Sequence, residues 1–254
     1  MIKVIHKDDE LSIRLAQKIS SRVPDSSNDQ LLIVCVGGDG TILRAIHEHI
    51  NELDNAIFFG VKSGHLGFFA DYTEDNLDDL IHALTSAQYA ITTYDLLESC
   101  VTADGKERHY FCLNEFQILS GSRTIHLDVE LDGLLFESFR GNGMVFSTPA
   151  GSTGLNKSLD GAIIDPSIEA VQITEVAPIN SNAYRTIGSP MVLNIHRSIV
   201  VKTPEPTPIE FSFDHEMKTF QAFEQLRIIA SKRKVKIAQI DAVNFFERIK
   251  KAFL

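Results

Sequence analysis

The stretch Leu31-Leu32-Ile33-Val34-Cys35-Val36-Gly37-Gly38-Asp39-Gly40-Thr41-Ile42-Leu43 reads as a buried strand running into a glycine turn and then a helix. Six consecutive apolar residues suit a strand covered on both faces, and Ile42, Leu43, Ile46 and Ile50 recur with the spacing of one helix face. Such a strand-to-helix turn is where α/β proteins hold phosphates, because glycines admit close approach of backbone N–H groups and the helix N-terminus adds partial positive charge. Gly37, Gly38, Gly40 and Thr41 are therefore candidate phosphate-binding residues, with the helix expected to begin near Thr41. Asp39 is the odd member. A carboxylate beside phosphates holds a metal ion, caps the helix, or accepts a proton from a substrate hydroxyl. The loop lacks the lysine of a P-loop and the glycine spacing of a dinucleotide-binding GxGxxG.

Working outward, Ile2 to His6 reads as a strand, followed by a helix with Leu11, Leu15, Ile19 and Val23 on one side and Asp8 as its expected cap. A third strand, Ala56 to Val61, ends at Ser63 and Gly64, and Leu77, Leu80, Ile81 and Leu84 mark another helix. Strands alternating with helices of this length imply a parallel sheet, with binding sites at the carboxyl ends of its strands. Beyond about residue 90 the pattern turns to short β segments: Tyr89 to Thr102, His109 to Leu119, Ile125 to Leu131, Leu134 to Arg140, Met191 to Ile195, Ile199 to Lys202 and Leu226 to Ala230. Asp132-Gly133 signals a turn, and the proline-rich Thr203 to Pro208 is expected to punctuate the strands. A closing helix carries Val243, Phe246, Ile249 and Phe253, with Asp241 as a plausible cap, and needs a face to dock on. The fold class is α/β plus all-β: a Rossmann-like α/β domain over 1–95, with 238–254 packing back on it, and an antiparallel β domain over 96–237.

The chain has 254 residues, 44% of them hydrophobic, and a net charge of -10, a field that disfavours nucleic acid and anionic membranes as partners. The one dense basic cluster, Lys232, Arg233, Lys234 and Lys236, reads as a solvated strand or turn. Cys35, Cys100 and Cys112 lack metal-ligand spacing and read as buried reduced thiols. No apolar run approaches the length of a membrane span and the start lacks a signal peptide's core, so a cytoplasmic location is expected.

Three further segments carry chemistry. Asn114-Glu115 interrupts the apolar run Phe111 to Leu119, where an acid and an amide need partners. Either the strand breaks there so that both meet a ligand, or Glu115 faces solvent while Asn114 satisfies backbone. Residues 141 to 166 hold five glycines and five hydroxyl side chains, a density that suits contact with a sugar and a base edge or else a glycine-rich surface loop. Phe213-Asp214-His215 is a third polar break, of a kind that is usually structural.

Together these segments resemble the NAD kinases. The resemblance rests on Gly37 to Thr41, Gly64-His65-Leu66-Gly67-Phe68, Asn114-Glu115, Ser147-Thr148-Pro149-Ala150-Gly151-Ser152-Thr153, and Tyr184-Arg185-Thr186-Ile187-Gly188-Ser189-Pro190. It implies phosphorylation of the adenosine ribose 2′-hydroxyl of NAD by ATP, NAD bound between an α/β and a β domain, commonly Mg²⁺ as cofactor, and a homo-oligomer, dimer or tetramer. Carried over, Asp39 is the base or metal partner at the 2′-hydroxyl, and Asn114 and Glu115 hold the dinucleotide's ribose. Thr153 and Ser158 are hydroxyl contacts, Tyr184 lies near the adenine, His215 lines the transfer site, and Gly40, Phe68, Asn142 and Gly154 complete the substrate-binding set. Several positions depart from the family pattern. Asn142 replaces an acid, Gly154-Leu155 replaces Ala-Tyr, Asp160 stands where glycine is usual, and Asp165 where histidine is usual. A lipid or sugar kinase with a similar glycine loop is the alternative within kinases, and a non-catalytic NAD(P)-binding sensor the alternative outside them.

Overall fold

The computed structural model describes residues 1–23, 30–64, 67–121, 123–182, 184–240 and 245–254. His65 and Leu66 of the expected glycine motif, and Asp241 and Val243 of the closing helix, lie outside the described residues. The chain forms two compact units, one of Met1–Tyr94 with Arg233–Leu254 and one of Asp95–Lys232.

In the first unit, β1 (Ile2–His6), β2 (Leu31–Val36) and β3 (Ala56–Val61) pair in parallel, and the end of β13 (Glu216–Gln239) joins β3 in parallel through Ile237 and Ala238. Every residue of β2 and β3 is buried, which is why these strands read as unbroken apolar runs. Around them lie α1 (Glu10–Ser20), α2 (Asp39–Glu48) and α3 (Leu77–Ser86), whose Leu15, Ile19, Ile42, Ile46 and Leu80 are all at most 1% exposed. The cap of α1 is Asp9 rather than the expected Asp8: its carboxylate accepts the Ser12 N–H at 2.9 Å. Either acid type serves, and the chain entering from β1 presents the second. The closing helix α5 (Phe245–Phe253) belongs to this unit, and Arg248 docks it through Phe68 and Asp71. Arg233 and Lys236 of the basic cluster donate to the carbonyls of Ile50 and Asp54, a structural use of those charges.

The second unit is antiparallel. Its strands run β13-β12-β6-β9-β10-β11, with β12 spanning Ile199–Phe213, β6 Glu115–Leu119, β9 Gly143–Ser147, β10 Ala170–Val176 and β11 Met191–Asn194. A hairpin of β7 (Ile125–Leu131) and β8 (Leu134–Gly141) adds to β12, and β4 (Ala90–Ala103) pairs with β5 (Lys106–Cys112). Phe116, Phe139, Phe146, Phe211 and Phe223 fill its core, all without exposure. Asp132-Gly133 makes the β7–β8 turn with φ of 50° and 81°, the left-handed pair that a two-residue hairpin loop requires.

Three further expectations change. The prolines of Thr203 to Pro208 do not end a strand but lie inside β12, where the pairing with β13 shifts register between Lys202, Thr207 and Ile209. The run His109 to Leu119 is not one strand, because β5 and β6 are separated at Leu113-Asn114. Residues 143 to 147 are a fully buried strand rather than a surface loop. All three cysteines are buried free thiols. No helix among the described residues is long and apolar enough to cross a membrane.

Candidate active site

In the first unit the site is built around Asp39. The helix begins at Asp39, earlier than the expected Thr41, and its N-cap is Gly38, which has no side chain to cap with. Asp39 does not cap the helix. Its two oxygens accept the backbone N–H groups of Phe68 at 2.8 Å and Phe69 at 3.1 Å, residues that follow β3. Burial raises the carboxyl's proton affinity above the usual range, opposed by those two amides and by the charge of Arg248. A carboxylate oriented by two donors retains lone pairs for a third, so this acid is fixed in direction and its proton affinity is tuned toward that of a base.

The glycine motif after β3 has a steric reason. A Cβ on Gly67 would sit 2.3 Å from Asp39 Oδ1, so only glycine lets the chain pass close enough for the next two amides to reach the carboxylate. Of the candidate phosphate-binding residues, Gly37 has its N–H engaged by the Val61 carbonyl at 2.8 Å and Thr41 donates to the Gly38 carbonyl at 2.9 Å. The first-turn amides of Asp39 and Gly40 have no intrahelical carbonyl one turn back, so they are the N–H groups of this loop that an anion could engage. Space is open around Gly38 and Gly40.

In the second unit the break at Leu113-Asn114 is compensated at every backbone group. Asp214 accepts both N–H groups, from Leu113 at 2.8 Å and Asn114 at 2.7 Å. Thr148 takes both carbonyls, its hydroxyl donating to Leu113 at 2.5 Å and its N–H to Asn114 at 2.8 Å. Gly151 packs on the same spot, where a Cβ would meet the Asn114 carbonyl oxygen at 2.3 Å. With the backbone satisfied by others, the side chains are left over. Asn114 Oδ1 and Glu115 Oε2 are buried without a hydrogen-bond partner, while Glu115 Oε1 accepts from Gln117 at 3.2 Å. Glu115 is 7% exposed, and burial together with the nearby Asp214 charge pushes its carboxyl up to about 7. An orphaned buried acceptor of this kind is costly unless a ligand completes it.

The remaining expected residues are placed as follows. Gly154 borders Glu115, its Cβ direction ending 3.8 Å from Oε2. Thr153 ends a short 3₁₀ turn, Ala150–Thr153, and Ser158 ends the helical turn α4 (Leu155–Ser158). A cavity of about 320 Å³ brings Ser158 together with Asp160, Thr174, Glu175, Ser189 and Pro190. Tyr184 is half exposed, its ring stacked under the Arg140 guanidinium at 4.2 Å. His215 is exposed in the β12–β13 turn, beside the Asp214 that anchors Asn114. Asn142 is not brought to Glu115: β9 pairs Glu115 with Ser147 at one end and Leu119 with Gly143 at the other, leaving Asn142 beyond the far end.

Two departures have local explanations. Asp160 adopts φ of 61°, the left-handed region that glycine enters without strain. Asp165 accepts the N–H and hydroxyl of Ser167 at 2.8 and 2.7 Å, a self-contained turn. Sequence reasoning missed Asp214, Arg248 and Asp71 as supports of the site. The signal for Asp214 was an acid in a two-residue turn between strands; for the other two it was an arginine on an otherwise amphipathic helix.

A parallel α/β unit with a glycine turn and a half-buried acid, and an antiparallel unit whose acid–amide pair leaves one buried oxygen on each side chain without a partner, define a nucleotide-binding protein of the α/β-plus-β class. The sequence model for the ATP-NAD kinase N-terminal domain matches residues 7–89, and that for the C-terminal domain matches residues 113–240. The chain is 38% identical over 258 residues to an NAD kinase of Geobacillus stearothermophilus, covering 99% of this chain and 95% of that one. It is also 38% identical to NAD kinase 1 of Bacillus subtilis (strain 168), covering 99% and 97%. The fold is similar to that of an NAD kinase from Archaeoglobus fulgidus in complex with ATP, with TM-score 0.75 and 22% identity over 98% of each chain. Yeast NADH kinase complexed with NADH superposes with TM-score 0.74 and 18% identity, over 97% of this chain and 76% of that one. The chain belongs to the ATP-NAD kinase family.

Proposed function

We propose that this chain is an NAD kinase whose chemistry centres on Asp39. The observation that carries the mechanism is the Asp39 carboxylate, half-buried and held by the Phe68 and Phe69 amides. The 2′-oxygen of the adenosine ribose attacks the γ-phosphorus of ATP, the bond to the β-phosphate oxygen breaks to release ADP, and Asp39 accepts the hydroxyl proton. Phosphoryl transfer needs little covalent help, so fixing the base and orienting the hydroxyl supply most of the acceleration. The first-turn amides of α2 are the donors for phosphate oxygens. Asn114 and Glu115, whose Oδ1 and Oε2 are buried without a partner, bind the dinucleotide's ribose hydroxyls. Thr153, Gly154 and Ser158 line that ligand, with Tyr184 toward the adenine.

The resemblance implies Mg²⁺, but among the described residues no group of three His, Cys, Asp or Glu side chains converges to hold a metal ion. Mg²⁺ is commonly held by substrate phosphates with one or two carboxylates, so a magnesium ion would arrive with the ATP phosphates and would supply charge neutralisation there. A homo-oligomer, dimer or tetramer, and a cytoplasmic location complete the proposal. Support for assembly comes from Leu134, Leu135 and Phe136 of β8, an edge strand, which are 68%, 55% and 41% exposed.

Incubation with NAD, ATP and Mg²⁺, read by an NADP-specific dehydrogenase, tests the activity. NADP formation that depends on Asp39 is expected. NAD binding without NADP at any enzyme concentration would mark a sensor, and phosphorylation of a lipid or sugar without NADP would mark a kinase of another substrate class.

A further inference from the structure

Arg248 carries a permanent charge yet is only 8% exposed, an unusual place for an arginine unless its fork is fully engaged. One guanidinium nitrogen donates to the Phe68 carbonyl. The other lies 2.7 and 2.9 Å from the two oxygens of Asp71, whose side chain is itself 10% exposed. The Phe68 residue is thus held at both ends. Its N–H is on Asp39 and its carbonyl is on Arg248, so the guanidinium stands one residue behind the carboxylate read as the base.

We infer that Arg248 is a positioning residue for Asp39: by clamping Phe68 and Asp71 it fixes the segment whose two amides orient the carboxylate. The inference rests on the reading of Asp39 as the base for NAD phosphorylation. Three observations favour it over simple docking of a terminal helix. The Asp71 carboxyl is pushed up by burial despite its arginine partner, the mark of an ion pair whose desolvation cost is poorly repaid in stability. The cradle has no slack, since even one carbon added at Gly67 collides with Asp39. Phe69, which gives the second amide, is pinned from the side by an edge-on contact with Tyr94 at 5.6 Å, leaving Arg248 to hold the segment from behind.

The test uses Arg248→Met, Arg248→Lys and Asp71→Asn in the full chain. For Arg248→Met, kcat should fall about 10- to 100-fold, the scale of a sub-ångström misplacement, with KM for NAD and ATP within about 3-fold of wild type. Amide hydrogen exchange at Phe68 and Phe69 should quicken while exchange in β2 and β3 stays unchanged. Arg248→Lys keeps the charge beside Asp71 but cannot hold the Phe68 carbonyl with the same fork, and should recover only part of kcat. Asp71→Asn should act in the same direction as Arg248→Met. A folded Arg248→Met with kcat within about 3-fold of wild type, or with both amides still protected, overturns the inference. If Arg248→Met does not fold, full kcat in Arg248→Lys overturns it and partial kcat supports it. If wild type makes no NADP, the functional reading fails by itself, and the exchange measurement still decides whether Arg248 holds the Asp39 amides.

Discussion

Replacing Glu115 by Gln should make the protein more stable at alkaline pH and a poorer binder of NAD. The Glu115 carboxyl is 7% exposed, and burial, with the neighbouring Asp214 charge second, raises it from 4.5 in the free side chain to about 7. Because the folded value lies above the unfolded one, the native state binds more protons between these two pH values, and stability falls as pH rises through that window. The full loss above the window is about 3 kcal/mol, from roughly two and a half pK units at 1.36 kcal/mol each. Gln stays neutral at every pH, keeps the length of the side chain and can still accept from Gln117. Urea unfolding of both proteins near pH 5 and near pH 8 should show Glu115→Gln more stable by about 2–3 kcal/mol at the higher pH and much closer to wild type at the lower. Calorimetric titration should then show NAD affinity down about 10- to 100-fold, since an ionised acceptor for ribose hydroxyls becomes a neutral one. Equal stability gaps at the two pH values would refute the assignment of a desolvated carboxyl. Unchanged NAD affinity would refute its role at the ligand.

Asp39→Asn should lower turnover by roughly 10²- to 10⁴-fold, the typical cost of losing a general base. It should also destabilise by about 1–3 kcal/mol, because an amide has one acceptor oxygen and sets its NH₂ against one of the two N–H donors, a loss measurable by urea titration. Gly67→Ala should cost about 1–3 kcal/mol and depress kcat, as the new methyl meets Asp39 Oδ1; a folded, fully active variant would show that the approach of this segment to Asp39 is unimportant. Glu137 is pushed up by burial and by Glu175, which accepts the Thr186 hydroxyl at 3.0 Å and the Gly188 N–H at 3.2 Å. Stability carried by its proton should therefore fade as pH rises through the raised value, and Glu137→Gln should flatten the dependence of Tm on pH above neutrality.

The first unit was legible because its strands are buried on both faces and its helices keep one apolar side, patterns that survive without knowledge of partners. Capping was legible only as a residue type, since Asp8 and Asp9 differ in nothing but the path of the chain. In the second unit, β12 was legible only over Ile199 to Lys202, and its continuation to Phe213 was hidden by Pro204, Pro206 and Pro208, which remove ladder donors and interrupt alternation. β10 was hidden by Gln172 and Thr174, polar in sequence yet buried, and satisfied by Ala162 and Asn156. At the site, Glu115 was visible as an anomaly in an apolar run, but its direction depended on a strand break that Thr148 and Asp214 make tolerable. The donors of Asp39 lie 29 and 30 residues away, beyond the reach of any local pattern.

The double support of Leu113-Asn114 by Thr148 and Asp214 bears on how such a protein changes over time. The backbone there owes nothing to the side chain of residue 114, so that side chain is exchangeable without dismantling the turn that displays it. With Asn114 as the ligand contact proposed above, substitutions at 114 should alter what is bound before they alter whether the chain folds, whereas substitutions at 148 or 214 should do the reverse. Recognition and architecture are thereby assigned to different residues at adjacent atoms, which leaves ligand preference free to drift on a fixed frame.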